Sequence, residues 1–217
     1  VRPRISVVAS STDNGSYKAG DSIAISATTS ESVVSGSEIV ATLDSGAQVT
    51  LTAASTGSTL SGTYTVGSGQ TSADLTVSSF IISSVLDAAG NTMTSTAVPS
   101  GTSNIAGAKA IVIDTTAPTI AQMAVSGDGS YKAGQSLTIT ATTNEPVRSG
   151  NTITVTFDTG EALTLTAASA GTTLTGTYTV ASGINSADLT VTSFAVDTVL
   201  DTAGNAMTST TLDRKST

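Results

Sequence analysis

The segment Gly15-Ser16-Tyr17-Lys18-Ala19-Gly20 returns as Gly129-Ser130-Tyr131-Lys132-Ala133-Gly134. Tyr64 recurs as Tyr178, Phe80 as Phe194, and Leu86-Asp87-Ala88-Ala89-Gly90-Asn91 as Leu200-Asp201-Thr202-Ala203-Gly204-Asn205. Each pair is separated by the same 114 positions, with no gap between Gly15 and the end of the match. Solenoid repeats have periods of roughly 20–50 residues, so a repeat of this length is a whole domain. The 217 residues therefore read as two copies of one module, residues 1–115 and residues 116–217.

Each module alternates Thr or Ser with Val, Ile, Leu or Ala, and no window sustains a helical period. β-Branched residues in a period of two suit half-buried strands. In the first copy the pattern predicts strands at Ile5–Ser10, Ser22–Thr29, Glu38–Leu43, Gln48–Ala53, Leu60–Val66, Ala73–Phe80 and Ala110–Asp114. A turn is expected at Asp13–Ser16 and a corner at Ser30-Glu31. About seven short strands per hundred residues predict an all-β protein, two tandem immunoglobulin-like β-sandwich domains. Pro118, in Thr115-Thr116-Ala117-Pro118, stiffens the connection, which predicts an end-to-end arrangement. In the second copy, the counterpart of Ala110–Asp114 would fall beyond Thr217. Either that module lacks its closing strand or Met207–Leu212 takes the edge.

Composition removes whole classes of chemistry. There is no Cys and no His, so disulfides, thiolates and the common nucleophile–base pairs are absent. No Gly-x-Ser-x-Gly motif occurs, and an enzyme is not expected. A net charge of −8 argues against nucleic-acid partners. No long apolar run would insert this segment into a membrane. The first residues already lie inside the repeating pattern, so the chain reads as a piece of a longer array.

Acidic side chains recur at one place in the module. In a seven-stranded sandwich the loops after the second, fourth and sixth strands share the end where the first strand begins. Glu145 falls at the first of these positions in the second module, and Asp201 and Asn205 fall in the last. Asp114 closes the first module's final strand, so these four oxygen-bearing side chains are expected to meet at the junction. Glu31, Asp87 and Asn91 form the same group in the first module, without a donor from a preceding repeat. Calcium takes about six to eight oxygen ligands, so three carboxylates and an amide are a plausible partial set. Taken singly, each residue has an ordinary use: Asp and Asn in Asp-x-x-Gly-Asn make side-chain-to-backbone turns. Taken as a set, they favour calcium, because gathered carboxylates repel one another.

Tyr17-Lys18-Ala19-Gly20-Asp21, Glu31, Asp87-Ala88-Ala89-Gly90-Asn91 and the run Ala108–Pro118 together resemble the bacterial immunoglobulin-like repeats found in tandem in large, calcium-dependent RTX-type surface adhesins. The resemblance covers nearly the whole chain. One departure is Thr29-Ser30-Glu31 and Thr143-Asn144-Glu145, where many such repeats carry Phe-Ser-Glu. The resemblance implies a secreted or cell-surface bacterial protein, whose repeats are structural and adhesive spacers stiffened by calcium at their junctions. Their partners would be neighbouring repeats of the same polypeptide. An alternative is a module that itself grips a glycan or protein on a host or other surface. Carbohydrate grip usually draws on aromatic platforms, and the chain is 3% aromatic with no Trp.

Overall fold

The computed structural model describes residues 1–211. Two compact units divide at Thr115/Thr116, and each is nearly all β and sandwich-like. In the first unit the strands are β1 (Ile5–Ser10), β2 (Gly15–Tyr17), β3 (Ser22–Val33), β4 (Glu38–Leu43), β5 (Gln48–Thr52), β6 (Gly57–Thr65), β7 (Val77–Ser84) and β8 (Ile111–Ile113). Six of them form one curled antiparallel sheet in the order β1-β3-β6-β5-β4-β7, while β2 and β8 make a separate parallel pair. A short helix, α1 (Ile105–Ala108), precedes β8; its N-cap is Asn104, whose side chain accepts from the Ile105 N–H at 2.7 Å.

The period of two explains where the core sits. Along β3, Ile23, Ile25 and Ala27 are buried while Ser22 and Ala24 face out. In β4, Ile39, Ala41 and Leu43 do the same. With so few rings available, aliphatic side chains fill the interior, joined by Tyr64 and Phe80.

The second unit repeats the plan with β9 (Ile120–Val125), β10 (Ser136–Val147), β11 (Thr152–Phe157), β12 (Ala162–Thr166), β13 (Gly171–Thr179) and β14 (Val191–Thr198). Its sheet order is β14-β11-β12-β13-β10-β9, the same as the first. No counterpart of β2 or β8 forms among the described residues. Nor does the segment after the Asp201 loop supply an edge strand: Ala206 bridges Leu200, and Met207 is buried. Thr92 and Met93 do the same in the first unit, where Thr92 bridges Leu86. Leu212 lies outside the described residues.

Three local expectations need correction. Ser30-Glu31 is not a corner but lies inside β3, which runs on to Val33. The ladder to β6 lapses between Thr28 and Val33. The strand stays extended there because the Ser30 N–H bonds to the Arg4 carbonyl instead, at 2.9 Å. The expected Asp13–Ser16 turn gives way to strand at Gly15, because β8 offers that backbone a parallel partner. The strand expected at Ala73–Phe80 begins only at Val77 and runs on to Ser84.

The curl is concentrated between β5 and β6. These strands share one ladder pair, Thr52 opposite Ser61, and β12 and β13 share only Thr166 opposite Thr175. Beside that crease a Cβ on Gly62 would overlap the Thr50 carbonyl oxygen, and one on Gly176 would sit 2.7 Å from that of Thr164. A strand glycine with room beside it gains about 0.5–1 kcal/mol from a change to Ala, so the sign of the effect is diagnostic here. Gly62→Ala should cost about 1–3 kcal/mol, as forcing volume into filled space does. Calorimetry of the 217-residue chain should show the first unit's transition moving down; an unchanged or raised transition would mean the two strands can part.

Candidate functional site

One end of each unit is built from the tail of its long second sheet strand and the Asp-x-x-Gly-Asn loop. In the first unit, Thr29 turns its hydroxyl inward and donates to the carbonyls of Glu31 (2.7 Å) and Ser58 (3.1 Å). That brace holds the end of β3 against β6 while Val33 bridges Asp87. Val34 N–H then donates to the Leu86 carbonyl at 2.8 Å. Glu31 is thereby carried on the strand that abuts the loop. The incoming chain docks here too, with Arg4 N–H donating to Ser30 Oγ at 3.2 Å.

The second unit reproduces most of these contacts. Thr143 Oγ1 donates to the Glu145 carbonyl at 2.7 Å, Val147 bridges Asp201, and Arg148 N–H reaches the Leu200 carbonyl at 2.9 Å. Asn144 replaces Ser30 and accepts from the Thr119 N–H at 2.6 Å. The Thr29/Thr143 brace escaped the sequence reading, although the two threonines stand at the repeat spacing, two residues before each glutamate. Two other contacts were equally hidden. Arg148 Nη2 donates to the Thr202 carbonyl at 3.0 Å, and buried Asn151 accepts from the Leu200 N–H while donating to the Arg148 carbonyl.

The loop aspartates are structural hubs. Asp87 Oδ1 accepts from the N–H groups of Ala89 (2.9 Å) and Asn91 (2.7 Å), and its Oδ2 accepts from Asn91 Nδ2 (2.7 Å). Asp201 is bound in the same way by Gly204, Asn205 and the Asn205 side chain. Two carboxylate oxygens offer about four acceptor directions. Three are spent inside the loop, which leaves one, on Oδ2, to meet a cation. Asn91 and Asn205 turn their amide nitrogens towards the aspartate, so only Oδ1 of either could act as a ligand. The Asn91 side chain is also the main reason the Asp87 carboxyl lies below the ordinary aspartate range. Backbone N–H groups from Asn91 and Ala89 add to this, against the opposing effect of burial.

Glu31 differs from the loop aspartates in its supply of donors. Glu31 Oε1 is buried and has no hydrogen-bond partner. Glu31 as a whole is only half-buried, but a polar oxygen turned away from water favours a donor or a cation beside it. In the second unit an oxygen of Glu145 lies within 4.8 Å of one of Asp201, which is buried. Calcium–oxygen bonds of about 2.3–2.6 Å allow two ligands on one ion to stand up to roughly 5 Å apart. The pair therefore fits a shared calcium, and without one the like charges repel. Asp114 belongs to the first unit, immediately after β8, where its N–H donates to the Tyr17 carbonyl at 2.9 Å. No family model matches the chain, and no curated protein matches it.

A depressed Asp87 pKa stabilises the folded unit above the unfolded aspartate value, and that contribution is lost as pH falls through the folded value. Asn91→Ala removes the largest cause of the depression. Urea unfolding between about pH 5 and pH 2 should show the wild type losing more stability than the variant over that window. Parallel curves would show that Asn91 does not tune the carboxyl.

Proposed function

We propose that the chain is a pair of extracellular spacer repeats from a bacterial surface adhesin, each an immunoglobulin-like sandwich, joined end to end with calcium at the junction. The reading is carried by one observation: each unit holds a glutamate and a loop aspartate at the end where its incoming chain docks. In the second unit the two carboxylates are close enough to share an ion. Glu145 and Asp201 supply two oxygens, with Asn205 Oδ1 a further candidate. Asp114 stands five residues before Thr119 in the chain and is the candidate donor from the preceding repeat. Calcium would place a divalent positive charge among these carboxylates. In the first unit Glu31, Asp87 and Asn91 would make the weaker, less complete site.

The duplication supports a spacer, since tandem modules extend reach without adding chemistry. A glycan-gripping module gains no comparable support. Among the described residues Tyr131, 37% exposed, is the one exposed aromatic ring.

Calcium that binds only the folded state at a hundred times its dissociation constant stabilises by about 2.7 kcal/mol. The second unit's melting transition should therefore rise in calcium relative to EDTA, and small-angle scattering should report a narrower range of interdomain distances. Glu145→Gln should abolish both responses, because it removes one of the two carboxylates that would share the ion. Identical melting and scattering in calcium and chelator would overturn the proposal.

A further inference from the structure

Asn14-Gly15 is the one place in the 217 residues where asparagine is followed by glycine. The pair carries an inherent reaction. The backbone nitrogen of the second residue can attack the side-chain amide carbon of the first, and glycine has no Cβ to stand in the way. Both residues are exposed, so water reaches them. The other exposed asparagines, Asn91, Asn144 and Asn185, precede Thr92, Glu145 and Ser186, whose side chains crowd the attacking nitrogen.

In the fold both reacting groups are taken up by Ala110, 96 positions on from Asn14. Gly15 N–H donates to the Ala110 carbonyl at 3.0 Å, and Asn14 Oδ1 accepts from the Ala110 N–H at 3.1 Å. The asparagine side chain thereby extends the parallel ladder in which Gly15, Ser16 and Tyr17 face Ile111, Val112 and Ile113. The preceding residue is fixed as well, since Tyr17 donates its hydroxyl to the Asp13 carbonyl at 2.8 Å. Ile111 and Ile113 are buried with 2% exposure or less, which anchors β8. Ring closure needs the Gly15 nitrogen to give up its proton and turn its electron pair on the Asn14 amide carbon. Neither movement is open while Ala110 holds both groups.

We propose that Asn14 is a modification site gated by β8: it stays an amide while β8 is docked and deamidates once β8 leaves. In the open state the Gly15 nitrogen sheds its proton and bonds to Asn14 Cγ, and the Cγ–Nδ2 bond breaks to release ammonia. The cyclic succinimide then takes up water. Attack of water at Cγ returns an aspartate. Attack at the backbone carbonyl carbon leaves isoaspartate, with the main chain running through the former side chain.

The two products have different fates. A carboxylate at position 14 accepts from the Ala110 N–H as the amide did, and the second copy carries Asp128 before Gly129 at the equivalent place. Isoaspartate inserts a methylene into the backbone, so the residues after it no longer meet Ile111, Val112 and Ile113 in register. The site thus records past openings of this edge in covalent form.

The test is peptide mapping by mass spectrometry of the 217-residue chain held at mildly alkaline pH, beside a synthetic peptide of residues 5–18. Asn14 in the native chain should deamidate at least about tenfold more slowly than in the peptide, since reaction waits on local opening. Urea below the unfolding transition should raise the rate in step with hydrogen exchange at the Gly15 N–H. Ala110→Pro deletes the N–H that holds Oδ1, and Lys109, at φ −136° and ψ 154°, already has the extended backbone that precedes proline. This variant should deamidate roughly two- to tenfold faster than wild type, the worth of one hydrogen bond. The wild-type urea series tests the gate even if the variant fails to fold. The isolated isoaspartyl form should lose exchange protection at residues 15–17 and 111–113, while Asn14→Asp retains it. The proposal is overturned if native chain and peptide react at equal rates, or if urea speeds exchange without speeding deamidation. A folded Ala110→Pro chain reacting at the wild-type rate overturns it too, as does an isoaspartyl form with wild-type protection.

Discussion

The close approach of the Gly62 backbone to the Thr50 carbonyl is the constraint on which each fold plan rests, matched by Gly176 and Thr164. Where the ladder narrows to one pair, the six-stranded sheet can turn back over its own apolar face. A flat sheet would leave Ile23, Ile25 and Leu60 in water. Closing it upon itself lets a chain poor in rings, with no disulfide, build a filled interior from small and β-branched side chains. Everything at the site end depends on that closure, because β3 and the Asp87 loop meet only when both belong to one wrapped sheet.

Much of this was legible in the residues. β1 and β4 match their expected limits because alternation begins and ends sharply there, between turn-forming residues. Position along the chain hid β2, since Asp13-Asn14-Gly15-Ser16 has every local mark of a turn and becomes strand only through β8, nearly a hundred residues away. The end of β3 misled for the same reason: Ser30 and Glu31 break the apolar rhythm, yet the Arg4 carbonyl and the Thr29 hydroxyl hold them extended. Local signals cannot report a partner that is distant in sequence.

The site shows the same division. Repetition picked out Glu31 and Asp87 with Glu145 and Asp201, and the fold brings each glutamate's strand beside its aspartate's loop. What repetition could not assign was each side chain's role. Asp87 and Asp201 hold their own loops together through three N–H donors each, whereas Glu31 keeps an oxygen without any. Both demands select a carboxylate, and so both look alike in a string of letters. Arg148, whose guanidinium caps the Thr202 carbonyl, stands where the first unit has Val34, and no repeat signal could have marked it.

The parallel pairing of β2 with β8 has a mechanical consequence for the first unit. Gly15 N–H donates to the Ala110 carbonyl and Asp114 N–H to that of Tyr17. Once β1 is peeled away, tension applied through the two chain ends pulls these strands in opposite senses along their own length. The bonds then carry load together in shear rather than opening singly like a zip.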